Sequence, residues 1–116
     1  MTRDPLLYIE DILTCIENIE RYTAGADKMR FAEDTQLQDA VVRRLEIIGE
    51  AVKNIPAAIT GRYPDIPWRT IAGLRDVLVH EYFGVNIERV WTVVTEDISP
   101  LKGHIQAVAR DIAGGS

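Results

Sequence analysis

The stretch GLRDVLVHEYFG, residues 73–84, is apolar enough for a core helix and yet carries Arg75, Asp76 and His80. On a wheel at about 100° per residue with Arg75 at zero, Ile71, Leu74, Val77 and Leu78 fall between roughly 200° and 320° and form a core stripe. Ala72, Val79 and Phe83 fall at about 40° to 80°, so a second side of the helix is apolar as well. One small bundle rarely covers both sides, and a second copy of the chain in a two-fold dimer is expected to cover the other. Asp65 and Pro67 mark the start of this helix, Phe83 its end and Gly84 its cap.

Outward from that helix the chain reads as all-α. From Pro5 to about Tyr22, Leu6, Ile9, Leu13, Ile16 and Ile19 recur at three and four, with Asp4 and Pro5 as cap and first-turn proline. The segment TAGADKMRFAEDT breaks that pattern, and Asp34 caps a second helix running to about Asn54 that buries Leu37, Val41, Leu45, Ile48 and Val52. Residues 56–67, PAAITGRYPDIP, hold three prolines and a glycine and predict a connection with one short turn of helix. Asn86 caps a further helix containing Ile87, Val90, Trp91, Val94 and Ile98. Ser99 and Pro100 then either kink it or start a new one, in which Leu101, Ile105, Val108 and Ile112 keep the spacing. The expectation is a single domain over residues 1–116, a bundle of four main helices with a short extra helical turn.

Composition narrows the function. The 47% hydrophobic and 27% charged residues argue for a globular chain rather than a disordered one. No apolar run reaches the roughly 18 to 20 residues that span a bilayer, so no membrane partner is expected. The acids within MTRDPLLYIEDI do not suit a signal peptide, and the lone Cys15 cannot form an intrachain disulfide; a cytoplasmic location is expected. A net charge of −5 argues against coating nucleic acid by electrostatics alone. The charge is uneven, however. Residues 41–80 hold six basic and four acidic groups, while the flanking blocks 1–40 and 81–116 are both net acidic.

Asp76 and His80 are four apart, within hydrogen-bonding reach on one helix face, so Asp76 can hold the imidazole in one orientation. Arg75 lies about 140° round from His80, too far for the two to converge on one atom from a single helix. In a two-fold dimer Arg75 of one copy can meet His80 of the other. His80 also falls in the last turn, where the helix dipole favours its protonated form, suited to binding phosphate or donating a proton. On the residues alone, a solvated ion-pair cluster without activity accounts for the same three groups. His80, His104 and Cys15 lack metal-ligand spacing, and there is no nucleophile motif, glycine-rich phosphate loop or redox pair, so no metal and no cofactor are expected. Trp68 and Trp91 read as packing residues, Arg43, Arg44, Lys53 and Arg69 as a solvated face, and His104 as a surface residue.

The pattern Arg75-Asp76-x-x-x-His80-x-Tyr82 resembles that of the HEPN superfamily, specifically the HepT-like toxins. IPWRTIAGLRDVLVHEYFGVN (66–86), RRLEIIGEAVKNIP (43–56) and VWTVVTEDISPLK (90–102) extend the resemblance over nearly the whole chain. The resemblance implies a HEPN-type helical homodimer with two Arg/His motifs in an interface cleft. It also implies metal-independent cleavage of RNA, such as tRNA or mRNA, leaving a 2′,3′-cyclic phosphate and a 5′-hydroxyl. In that chemistry His80 is the general base or acid, Arg75 stabilises phosphate charge, and Asp76 orients His80 or the RNA. The implied partner is an MNT-type nucleotidyltransferase antitoxin that adenylylates Tyr82. The alternative is a non-catalytic HEPN subunit that binds nucleotide or RNA and scaffolds the nucleotidyltransferase.

Overall fold

The structure, a computed structural model, describes residues 3–80 and 86–114, and the side chains of all of these except 75–80. Among the described residues every regular element is helical. Four long helices form the bundle, as the periodicity predicts, with two short helices between them.

Helix α1, Pro5–Thr23, begins where the Asp4 carboxylate accepts from the Leu6 N–H at 2.9 Å. With Pro5 in the first turn, both start signals act as expected. Ile9, Ile12, Cys15, Ile16 and Ile19 are buried at helical spacing. After α1 the chain turns through Gly25, whose φ of +76° suits glycine.

The segment read as a break contains a helix of its own, α2, Lys28–Glu33, capped by Asp27 through the Arg30 N–H at 2.8 Å. Six residues are too few to show a period. Its anchor is the fully buried Phe31, whose ring lies 5.1 Å from that of Trp91.

Asp34 alone joins α2 to α3, Thr35–Lys53. Its N–H donates to the Arg30 carbonyl at 3.0 Å, closing α2, and its carboxylate accepts from the Leu37 N–H at 3.0 Å, opening α3. The Gln38 amide takes the Phe31 and Ala32 carbonyls at 2.8 and 3.1 Å, satisfying acceptors that the end of α2 leaves over. Helix α3 is central, packed on α1 and on α5, and buries every position the spacing assigned to the core together with Val42, Gly49 and Ala51.

The proline-rich connection holds α4, Ala57–Thr60, the single short turn expected there. Helix α5 runs over Trp68–His80. Pro67 stands just before it, its carbonyl accepting from the Ile71 N–H at 3.0 Å. The predicted end at Phe83 and cap at Gly84 lie outside the described residues.

The last helix neither stops nor restarts at Ser99. It continues from Ile87 to Ala113 as α6 (Ile87–Thr92), a π turn (Val93–Asp97) and α7 (Ile98–Ala113). Asn86 caps it through the Arg89 N–H at 3.2 Å. Within the π turn the Ile98 N–H donates to the Val93 carbonyl, five residues back. Two features of the sequence favour this widening. Pro100 has no N–H to donate, and its ring would press on the Glu96 carbonyl in a plain α-helix. The buried positions Val90, Val93, Ile98, Leu101, Ile105 and Val108 also include a step of five between Val93 and Ile98. A plain α-helix would bring Asp97 inward there; the π turn brings Ile98.

Candidate active site

The first half of helix α5 is anchored on the core. Ile71 is buried there, and Trp68, Ala72 and Leu74 are half-buried against the core. Ala72 belongs to the second apolar side read from the wheel, and here it packs on this chain's own core. The start of the helix is held by the Trp68 indole, whose Nε1 donates to the Tyr63 carbonyl at 3.1 Å. Tyr63 in turn donates through its hydroxyl to Asp111 Oδ2 at 2.7 Å, tying this connection to the end of α7. That bond raises the Tyr63 pKa, because ionising the phenol would remove the donor and set two negative charges side by side.

Arg75, Asp76 and His80 occupy the last two turns of the same helix. The helix is continuous through position 80, so positions 76 and 80 stand one turn apart and positions 75 and 80 are separated by about 140°. The side chains of 75–80, including Val77, Leu78 and Val79 of the two apolar stripes, lie outside the described residues, as does Tyr82.

The other groups singled out in the sequence have ordinary surroundings. Arg43 is exposed and 3.6 Å from Glu46. The Arg44 guanidinium lies beside Cys15 and Tyr22, and both partners favour its charged form. Cys15 is buried; burial pushes its thiol pKa up, and Arg44 pulls it partly back. Arg69 and His104 are exposed, and Trp91 packs on Phe31.

The sequence reading missed a groove of about 250 Å³ between the first turns of α5 and the π turn with α7. Ile71, Leu74, Pro100 and Leu101 form its walls, and Asp97 and His104 also line it. Its one sequence signal is Pro100 in the middle of a helix; the rest depends on bringing together residues some thirty positions apart. No three His, Cys, Asp or Glu side chains among the described residues are grouped as metal ligands. No helix there is long and apolar enough to cross a membrane.

Comparison with known proteins gives the family. The family model described as Ribonuclease HepT-like matches residues 12–108, which include all of α5. The chain is 46% identical over 110 residues to a probable ribonuclease HepT of Thermococcus cleftensis, covering 95% of this chain and all of that protein. It is 40% identical over 108 residues to a putative RNase of Caldanaerobacter subterraneus subsp. tengcongensis, covering 93% and 96% of the two chains. A Methanocaldococcus jannaschii protein named as a gamma-glutamylcyclotransferase and putative RNase is 43% identical over 112 residues, 97% of this chain. There the match spans only 50% of the relative's length. No solved structure matches the chain. The family match over most of the bundle, with near full-length relatives at 46% and 40% identity, makes this chain a member of the HepT-like ribonuclease family of the HEPN superfamily.

Proposed function

We propose that the chain is the toxin ribonuclease of a toxin–antitoxin pair, cutting RNA without a metal at a composite site formed by two copies of α5 in a homodimer. The reading rests on one observation: a helix regular through position 80 bears Arg75, Asp76 and His80 in its last two turns, inside the span matched to a ribonuclease family.

The chemistry follows from these residue types. The 2′-hydroxyl oxygen attacks the neighbouring phosphorus, the bond to the 5′ oxygen breaks, and a 2′,3′-cyclic phosphate and a 5′-hydroxyl result. A proton leaves the 2′-hydroxyl and one reaches the departing 5′ oxygen; His80, a side-chain type suited to general acid and base roles, serves these transfers. Arg75 neutralises charge growing on the phosphate oxygens, and Asp76, one turn before His80, orients the imidazole. The 140° between positions 75 and 80 makes the dimer part of the mechanism, since the partner's helix brings the complementary group.

Inhibition is assigned to an MNT-type nucleotidyltransferase that transfers AMP to Tyr82. An added phosphate two residues beyond His80 repels RNA phosphate and fills space the substrate needs.

The test is RNA incubated with the unmodified protein in EDTA, with both product ends mapped, beside His80→Ala. Cyclic phosphate and 5′-hydroxyl ends that vanish in His80→Ala are expected. Cleavage that persists in the variant or requires a divalent cation overturns the mechanism, and RNA bound but uncut points to the scaffolding subunit instead. Intact-mass measurement after co-expression with the nucleotidyltransferase should show the gain of AMP, lost in Tyr82→Phe.

A further inference from the structure

We propose that the groove between α5 and α7 is a base subsite: it holds one nucleobase of the RNA, next to the bond being cut, and prefers a base with an exocyclic amine. This deepens the ribonuclease reading and rests on it.

Size is the first argument. At about 250 Å³ the groove falls just under the range of roughly 300–1,000 Å³ typical of sites for whole ligands, and suits one ring system. Its walls come second. Ile71 and Leu74 on α5 face Pro100 and Leu101 on α7 across an aliphatic slot, the setting in which an unstacked base is held between apolar side chains.

The polar groups in the groove come third. Asp97 caps no backbone N–H, and among the described residues neither Asp97 nor His104 has a hydrogen-bond or ion-pair partner. A carboxylate accepts from an exocyclic amine, and an imidazole on the same rim meets a ring nitrogen. Adenine, cytosine and guanine carry that amine; uracil does not.

Position is the fourth argument. Ile71 and Leu74 belong to the helix that carries Arg75 and His80, and at about 1.5 Å per residue the two groups are centred on the order of 7 Å apart along its axis. That is on the order of one nucleotide step along a single strand. Round the helix the slot lies about 40–100° from position 75 and about 120–180° from position 80, so a base seated in it brings a neighbouring phosphate toward Arg75, with the histidine supplied by the partner's helix as in the composite site.

The experiment compares cleavage of short RNAs that differ only in the base flanking the cut. The full chain is set beside Asp97→Asn, His104→Ala and Thr70→Trp, the last placing an indole in the groove from an exposed position. All three sites are exposed, and a melting curve for each variant checks that the fold is intact. The wild-type chain should favour an amine-bearing base by about tenfold over uracil, and each variant should flatten that preference. A preference unchanged in all three, or none in the wild-type chain, overturns the subsite.

A second arm separates this failure from that of the ribonuclease reading. AMP, CMP, GMP and UMP are titrated into the chain at millimolar concentration, following the His104 ring and the Ile71, Leu74 and Leu101 methyls by NMR. If no RNA is cut, nucleotide-dependent shifts at these groups keep the base site and discard the ribonuclease. Their absence overturns the base site whatever the cleavage result.

Discussion

Helices α3 and α5 lie side by side and are built differently. In α3 the inward positions are apolar from Leu37 to Val52, so the helix is a beam between α1 and α5. In α5 Ile71 and Leu74 pack inward, the sequence continues that stripe at Val77 and Leu78, and the same turns also carry an arginine, an aspartate and a histidine. The difference separates two properties that small enzymes often mix. Stability should depend on α3, and chemistry on the end of α5.

Substitutions can break that separation or sharpen it. The largest effect should come from His80→Ala, which is expected to slow RNA cleavage by about 10²- to 10⁴-fold while the melting temperature stays within a few degrees. A large loss of stability with it would mean that the end of α5 also holds the fold. The converse is Ile48→Ala in α3. It empties a fully buried site and should cost about 2–5 kcal/mol of unfolding free energy in a denaturant titration. Asp34→Ala removes the cap of α3 and should cost about 1 kcal/mol by the same titration.

Cys15 gives a pH-dependent check on the α1/α3 seam. Its thiol pKa is raised in the folded state, so the folded chain keeps the proton over a range where the unfolded chain has lost it. That contribution is complete below the unfolded value near 9.0 and is lost as pH rises through the folded value. Stability should therefore fall above about pH 9 more steeply in the wild-type chain than in Cys15→Ala. The smallest effect is expected from Tyr63→Phe. It removes an exposed bond to Asp111 and should change stability by no more than about 0.5 kcal/mol.

The four long helices were legible because each carries its own evidence: a cap such as Asp4, Asp34 or Asn86, and an apolar stripe several turns long. Helix α2 was not, because Phe31 is its only buried residue and one residue has no period. The π turn was half legible. Pro100 signalled a disturbance, but whether a chain breaks, kinks or widens at a proline depends on the packing it preserves, and the step from Val93 to Ile98 becomes visible only once the core is known. The site divides the same way. Arg75, Asp76 and His80 are close in sequence and can be found as a motif; the groove joins Ile71 to Leu101 and has no local signature.

The π turn also fixes how the last helix can change length. It accommodates one residue more than an α-helix needs between Val93 and Ile98, so the two halves stay in phase only because that residue is looped into the wider turn. Deleting one residue from 94–97 together with Pro100→Ala would leave a straight helix with Val93 and Ile98 on one face. The same deletion in α3 would rotate everything after it by about 100° and turn its apolar stripe out of the core. The final helix thus carries a tolerated insertion, a place where chains of this fold can differ by one residue without rebuilding the bundle.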